Sequence, residues 1–138
     1  ILAAAVAAGL VRPAAAAQVT KATFEAKTTA DALKSMGVTN AVESKDIQIK
    51  APDIAENGAV VPIEVTSNIP GTESISVFIE KNPFPFAGSF DVSKGALPFV
   101  ALRTKIGESS NVRVVVAAGG KHFTTVKEVK VTIGGCGG

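Results

Sequence analysis

Val61-Pro62-Ile63-Glu64-Val65-Thr66 decides how this chain folds, because Val61, Ile63 and Val65 alternate with Pro62, Glu64 and Thr66. Alternation of this kind marks a strand with one face buried and the other open. The same period appears upstream, where Ile47 and Ile49 alternate with Asp46, Gln48 and Lys50. It appears again downstream, where Ile75, Val77 and Ile79 alternate with Ser74, Ser76 and Glu80. Further strands are predicted over 88–92, 98–106, 111–117 and 121–133. Turn-forming residues punctuate them: Glu56-Asn57-Gly58, Ile69-Pro70-Gly71, Asn82-Pro83-Phe84-Pro85, Lys94-Gly95, Gly107-Glu108 and Gly119-Gly120. About seven short strands with turns this closely spaced predict an all-β, immunoglobulin-like antiparallel β-sandwich rather than a parallel α/β sheet.

Upstream of the strands, Thr28-Thr29-Ala30-Asp31-Ala32-Leu33-Lys34-Ser35-Met36 is closed by Gly37. Threonine at the start and glycine at the end predict a short N-terminal helix, the one helical signal after residue 17. The chain divides accordingly into 1–17, the remnant of an export signal; 18–45, an extension with the short helix; 46–133, the sandwich; and 134–138, a flexible arm. In the last strand Val129, Val131 and Ile133 are expected to point one way and anchor that arm. Glu128, Lys130 and Thr132 face solvent or a partner.

The 138 residues suffice for one domain with a single core. Fourteen Lys+Arg against 12 Asp+Glu leave a net charge of +2, with no basic cluster, so nucleic-acid binding is not indicated. The aromatic residues are 7 Phe with no Trp or Tyr, which removes the stacking platforms of single-strand binders. One Cys, one Met and one His make no convincing metal cage. Residues 1–11 are unbroken apolar sequence, followed by Arg12-Pro13 and then Ala14-Ala15-Ala16-Ala17 before Gln18. Such a run is shorter than the ~20 residues of a membrane-spanning helix, but it suits the apolar region and small-residue cleavage site of a secretory signal. A periplasmic or extracellular location is therefore expected, with mature protein starting near Gln18. Sec and twin-arginine routes both fit, and an Ala-rich surface helix is the second reading.

The single cysteine stands in Ile133-Gly134-Gly135-Cys136-Gly137-Gly138, flanked only by glycine. Free cysteines are usually among the most buried residues, and glycine offers no cover. Lacking Cβ, the flanking residues also let the backbone follow a narrow channel. If Ile133 is the last residue held by the domain, five residues at ~3.3–3.6 Å each reach up to roughly 17 Å, enough to enter another protein's cleft. Lys130, six residues before Cys136, is the nearest basic side chain. A thiol with a reference pKa of about 8.5 and no adjacent base or cation is poorly activated. The pattern therefore reads as a carried sulfur rather than a catalytic nucleophile, and no catalytic residue is assigned. A disordered end and an intermolecular disulfide are the plainer readings. A ubiquitin-like thiocarboxylate carrier would need its Gly-Gly pair at the end, whereas here cysteine follows it.

The segment Lys127-Glu128-Val129-Lys130-Val131-Thr132-Ile133-Gly134-Gly135-Cys136-Gly137-Gly138 resembles the SoxY family of sulfur carriers in bacterial thiosulfate oxidation. The likeness continues upstream in Ala51-Pro52-Asp53-Ile54-Ala55-Glu56-Asn57-Gly58-Ala59-Val60-Val61-Pro62, in Val77-Phe78-Ile79-Glu80-Lys81-Asn82-Pro83 and in Gly119-Gly120-Lys121. The glycine-bracketed cysteine is its specific element, and the interior segments are weak singly. The resemblance implies a periplasmic carrier that is not itself an enzyme and needs no cofactor beyond the adduct on its cysteine. By match of motif Cys136 is the attachment site, and Gly134, Gly135, Gly137 and Gly138 give the arm its freedom. The implied partners are a SoxZ-like β-sandwich subunit, forming a heterodimer, and three enzymes of the Sox system. These are a haem-containing enzyme that loads thiosulfate, a hydrolase that releases sulfate, and a sulfane dehydrogenase.

Asn82-Pro83-Phe84-Pro85-Phe86 departs from the less aromatic loop expected of the family. Phe84 and Phe86 read first as core-capping residues and secondly as a contact for the SoxZ-like subunit, for which Phe78 is a further candidate. His122, with Met36 and Cys136, superficially forms a copper set, but helix, strand and arm do not supply fixed geometry. His122 reads better as a strand residue beside a turn. Asp53 and Glu56 read as solvated loop charges, and Lys127, Glu128 and Lys130 as an exposed strand face. A rival class is a secreted immunoglobulin-like structural or adhesion module with a disulfide-forming tail. A thiol oxidoreductase is disfavoured by the absence of a second cysteine.

Overall fold

A computed structural model describes residues 19–92 and 97–132. Its elements in chain order are α1 (Lys21–Glu25), α2 (Thr29–Ser35), β1 (Ala41–Glu43), β2 (Ile47–Lys50), β3 (Ile54–Ala55), β4 (Val61–Ser67), β5 (Thr72–Ile79), β6 (Phe86–Asp91), β7 (Phe99–Thr104), β8 (Ser110–Ala118) and β9 (Lys121–Val131). They form two sheets. The larger runs β1-β9-β8-β5-β6, with β3 also paired to β9, and the smaller runs β2-β4-β7. The pairings are antiparallel except those of β1 and β3, which lie parallel to β9. This is the immunoglobulin-like sandwich that the alternation predicts, with the two short parallel strands as an addition.

The core forms where the two sheets face each other. Val61, Ile63 and Val65 of β4 meet Ile75, Val77 and Ile79 of β5 and Val112, Val114 and Val116 of β8, all 0 % exposed, and Val129 of β9 joins them. Burying side chains of this size stabilises by about 1.5–3 kcal/mol each before the entropy of ordering them is counted. The smaller sheet is covered on one side only. Pro62 and Glu64 on the outer face of β4 are exposed, which is why that strand alternates so cleanly.

The larger sheet is covered on both sides, and here the expectations change. Phe78 projects from the face of β5 opposite Ile75, Val77 and Ile79. There it is fully buried with Val115 against Ala32, Met36 and Val38. Phe78 is thus a core residue under the helical layer with no exposed surface, contrary to the reading that offered it as a partner contact. Phe86 is half-buried beside it, with ring centroids 5.7 Å apart, and Phe24 of α1 stands edge-on to Phe86 at 5.1 Å. Phe86 therefore caps the second core cluster as expected, whereas Phe84 is 54 % exposed and caps nothing.

Helix α2 starts and stops where the sequence indicates. The Thr28 hydroxyl accepts a hydrogen bond from the Asp31 N–H at 3.0 Å, and Gly37 takes φ +78° just beyond the last turn. Helix α1 is an additional element, tied to α2 through the Thr23 and Ser35 hydroxyls at 2.6 Å. Polar groups on the helix-covered face are also paired. Arg113 donates to Glu80 at 2.6 Å and to the Thr124 hydroxyl at 3.0 Å, and that hydroxyl donates to the Val114 carbonyl at 2.9 Å.

Candidate functional site

Among the described residues β9 is the longest strand, at 11 residues, and the sequence that follows it leads to the chain's single cysteine. Cys136 and Gly134, Gly135, Gly137 and Gly138 lie outside the described residues, as do the predicted signal at 1–17 and Ile133. What the structure defines is the base from which that segment departs. Val129 is fully buried and Val131 packs against the core, while Glu128, Lys130 and Thr132 are exposed. The strand thus faces as its period predicts. Lys127 belongs with Val129 and Val131, since successive side chains alternate faces, and so it is not part of one exposed row with Glu128 and Lys130.

Three segments hold this end of β9. On one side β3 pairs with it in parallel, matching Lys130 to Ile54 and Val131 to Ala55. The Lys130 N–H donates to the Asp53 carbonyl at 2.9 Å, and the Thr132 N–H donates to the Ala55 carbonyl at 3.1 Å. On the other side the Val131 N–H donates to the Ser109 hydroxyl at 2.8 Å. Beneath it sits Gly58, where a Cβ would lie 2.4 Å from the Ile106 carbonyl oxygen and 3.1 Å from Val131 Cγ1. Only glycine permits that approach. The Ile106 N–H returns a 2.7 Å hydrogen bond to the Gly58 carbonyl, and the Asn57 side chain closes the turn by accepting from the Ala59 N–H at 3.0 Å.

The Lys127 ammonium adds a charged brace, donating to the Asp53 carboxylate at 2.6 Å. That hydrogen bond, and then the lysine's charge, hold the Asp53 carboxyl below its ordinary value. The carboxylate is 88 % exposed, so solvent and salt screen the pair heavily.

Asp53 and Gly58 were legible as a loop charge and a turn residue, and not as parts of a clamp. Their partners on β9 and at Ile106 are distant in sequence, and nothing local announces them. His122 pairs in register with Ala41 and Ala117 at the start of β9, as a strand residue beside the Gly119-Gly120 turn. Met36 is buried under the helix. Among the described residues no three His, Cys, Asp or Glu side chains converge as a metal site, and no helix is long and apolar enough to cross a membrane.

A sandwich that clamps its last described strand as far as Thr132, four residues before a glycine-bracketed cysteine, has the form of a body that anchors the base of a C-terminal segment. The family model of sulfur oxidation protein SoxY matches residues 32–136, from α2 through the cysteine. The solved sulfur carrier protein SoxY from Chlorobium limicola f thiosulfatophilum is 48 % identical with a TM-score of 0.68, over 75 % of this chain and 96 % of that one. The chain belongs to the SoxY family of sulfur carriers, which are carrier proteins and not catalysts. A chain from a structure of T cell activation by toxic shock syndrome toxin-1 is also similar. It has 11 % identity and a TM-score of 0.45, over 62 % of this chain and 99 % of that one. No curated protein matches the chain.

Proposed function

We propose that this carrier holds thiosulfate-derived sulfur on the thiol of Cys136 and presents it to successive enzymes in the periplasm, as a heterodimer with a SoxZ-like subunit. The observation that carries the proposal is the clamp on β9. It fixes Thr132 to the body by backbone hydrogen bonding, four residues before the only cysteine. A fixed base and slim glycine flanks allow one thiol to enter several different active sites, so specificity resides in the enzymes and in docking surfaces of the body.

Loading joins the Cys136 sulfur to the sulfane sulfur of thiosulfate. The thiol loses its proton and two electrons pass to the haem-containing enzyme. Hydrolysis by the second enzyme breaks the bond between sulfane sulfur and sulfonate, releasing sulfate and leaving a persulfide for the sulfane dehydrogenase. The Ala-rich segment at 1–17 supports export. Leu97, 80 % exposed, and Phe99, 45 % exposed on the open edge strand β7, support a partner on that side of the sandwich.

The test is reconstitution of the chain with a SoxZ-like subunit, the haem enzyme, the hydrolase and thiosulfate. Sulfate release is expected in proportion to carrier, and none with Cys136→Ser. Equal release by the serine variant would refute attachment at Cys136.

A further inference from the structure

The turn after β3 contains Glu56-Asn57-Gly58-Ala59, and Asn57 is the chain's one asparagine followed by glycine. An asparagine amide is open to attack by the backbone nitrogen of the next residue, and a Cβ on that residue crowds the approach; glycine has none. The remaining asparagines are poorer targets. Asn68-Ile69 and Asn111-Val112 precede β-branched residues, Asn40-Ala41 precedes a residue with a Cβ, and in Asn82-Pro83 the following nitrogen carries no proton. Asn82 and Asn111 are also held through their side-chain nitrogens, which donate to the Lys105 carbonyl at 2.7 Å and to Glu80 at 3.4 Å.

The geometry at Asn57 favours the reaction. The residue is exposed, so water reaches it. The Ala59 N–H donates to Asn57 Oδ1 at 3.0 Å, and Oδ1 is the atom that turns negative when a nitrogen adds to the amide carbon. A donor already aimed at that oxygen stabilises the developing charge. The surroundings of Gly58 give the reaction a structural consequence. Its carbonyl accepts from the Ile106 N–H at 2.7 Å, and a Cβ on it would lie 2.4 Å from the Ile106 carbonyl oxygen. Before the turn, the Ala55 carbonyl holds the Thr132 N–H at 3.1 Å. The backbone is thus pinned on both sides of Asn57 and fitted to its present length.

We infer that Asn57 is a self-modifying site, whose deamidation to isoaspartate lengthens this turn and loosens the clamp on β9. The Gly58 backbone nitrogen gives up its proton and bonds to Asn57 Cγ, the side-chain nitrogen leaves as ammonia, and a succinimide closes. Water then opens the ring. Opening at the former main-chain carbonyl routes the backbone through Cγ, which adds one methylene to it and leaves a free carboxylate. No oxidant, reductant or enzyme is needed. The added methylene must be absorbed between Ala55 and Gly58, at the expense of the Gly58–Ile106 hydrogen bond. The site is a one-way timer on the end of β9, and it does not depend on what the chain carries.

The test incubates the full chain in mildly alkaline buffer and separates the product by its added negative charge. Peptide mapping is expected to show the amide-to-acid mass gain at Asn57 well before any at Asn40, Asn68 or Asn111. An isoaspartate-specific methyltransferase is expected to methylate that peptide. In the separated product, amide exchange at Ile106, Val131 and Thr132 should be about two- to tenfold faster, the factor to which one lost hydrogen bond converts, with the amides of β4 and β5 unchanged. Asn57→Gln, whose longer side chain closes the ring poorly, should keep the parent's exchange rates through the same incubation. Freshly prepared Asn57→Asp carries the new charge on a backbone of ordinary length and should keep them too. Acid appearing at Asn57 no earlier than at the other asparagines would overturn the site. An isoaspartate product that exchanges as slowly as the parent, or an Asn57→Asp chain that exchanges as fast as the product, would overturn the loosening of the clamp.

Discussion

Gly58 is the residue whose replacement the geometry forbids most plainly. A methyl group there meets the Ile106 carbonyl at 2.4 Å, so Gly58→Ala must push the 106 connection or β9 aside. Overpacking of this kind costs about 1–3 kcal/mol, and the expected result is a lowered Tm together with faster amide exchange at Val131 and Thr132. Asp53 offers a second, gentler test. Because its folded pKa is lowered by Lys127, the pair's stabilisation is fully present above the ordinary carboxylate value and is lost as pH falls through the lowered one. Asp53→Asn is therefore expected to lower Tm slightly at neutral pH in low salt. The difference should vanish in acid and shrink with added salt, as thermal melts across pH would show.

The elements divide by how locally they are determined. Strands β2, β4 and β5 and helix α2 were legible because each carries its own pattern: alternation against an open face, or a threonine cap and a glycine stop. Strands β1 and β3 were not, since three and two residues hold no period and they pair only because β9 passes alongside. Helix α1 is five residues long and equally silent. Phe78 escaped for a related reason. The alternation in β5 assigns one face to the core, and only the docking of α2 buries the other; the unbroken apolar run Val114-Val115-Val116-Ala117-Ala118 in β8 is the one signal of a sheet covered twice. Phe78→Ala is accordingly expected to cost about 3–5 kcal/mol and to loosen α2 first, visible as early exchange in residues 28–38. The clamp of the candidate site was illegible in the sequence, and Cys136, which the sequence offers as the reactive part, lies outside the described residues. For the glycine segment, Gly135→Val and Gly137→Val are expected to slow loading and processing by the Sox enzymes while leaving Tm unchanged. Normal turnover of both variants with every partner would contradict the role given to these glycines.

At the scale of the molecule, the sandwich separates two duties. One end, built from β3, the Gly58 turn and the connection at 105–109, holds β9 as far as Thr132; the edge at β7 leaves the apolar side chains of Leu97 and Phe99 exposed. If that edge receives the SoxZ-like subunit, Leu97→Lys combined with Phe99→Lys should weaken co-purification of the pair without changing the fold, since both side chains are exposed. The central claim remains the covalent sulfur on Cys136, and intact mass spectrometry of the natively purified protein from thiosulfate-grown cells, with and without reductant and followed by peptide mapping, tests it most directly. Reductant-sensitive thiosulfonate or sulfane additions confined to Cys136 are the predicted result. A bare thiol, or only a disulfide between two chains, would contradict it.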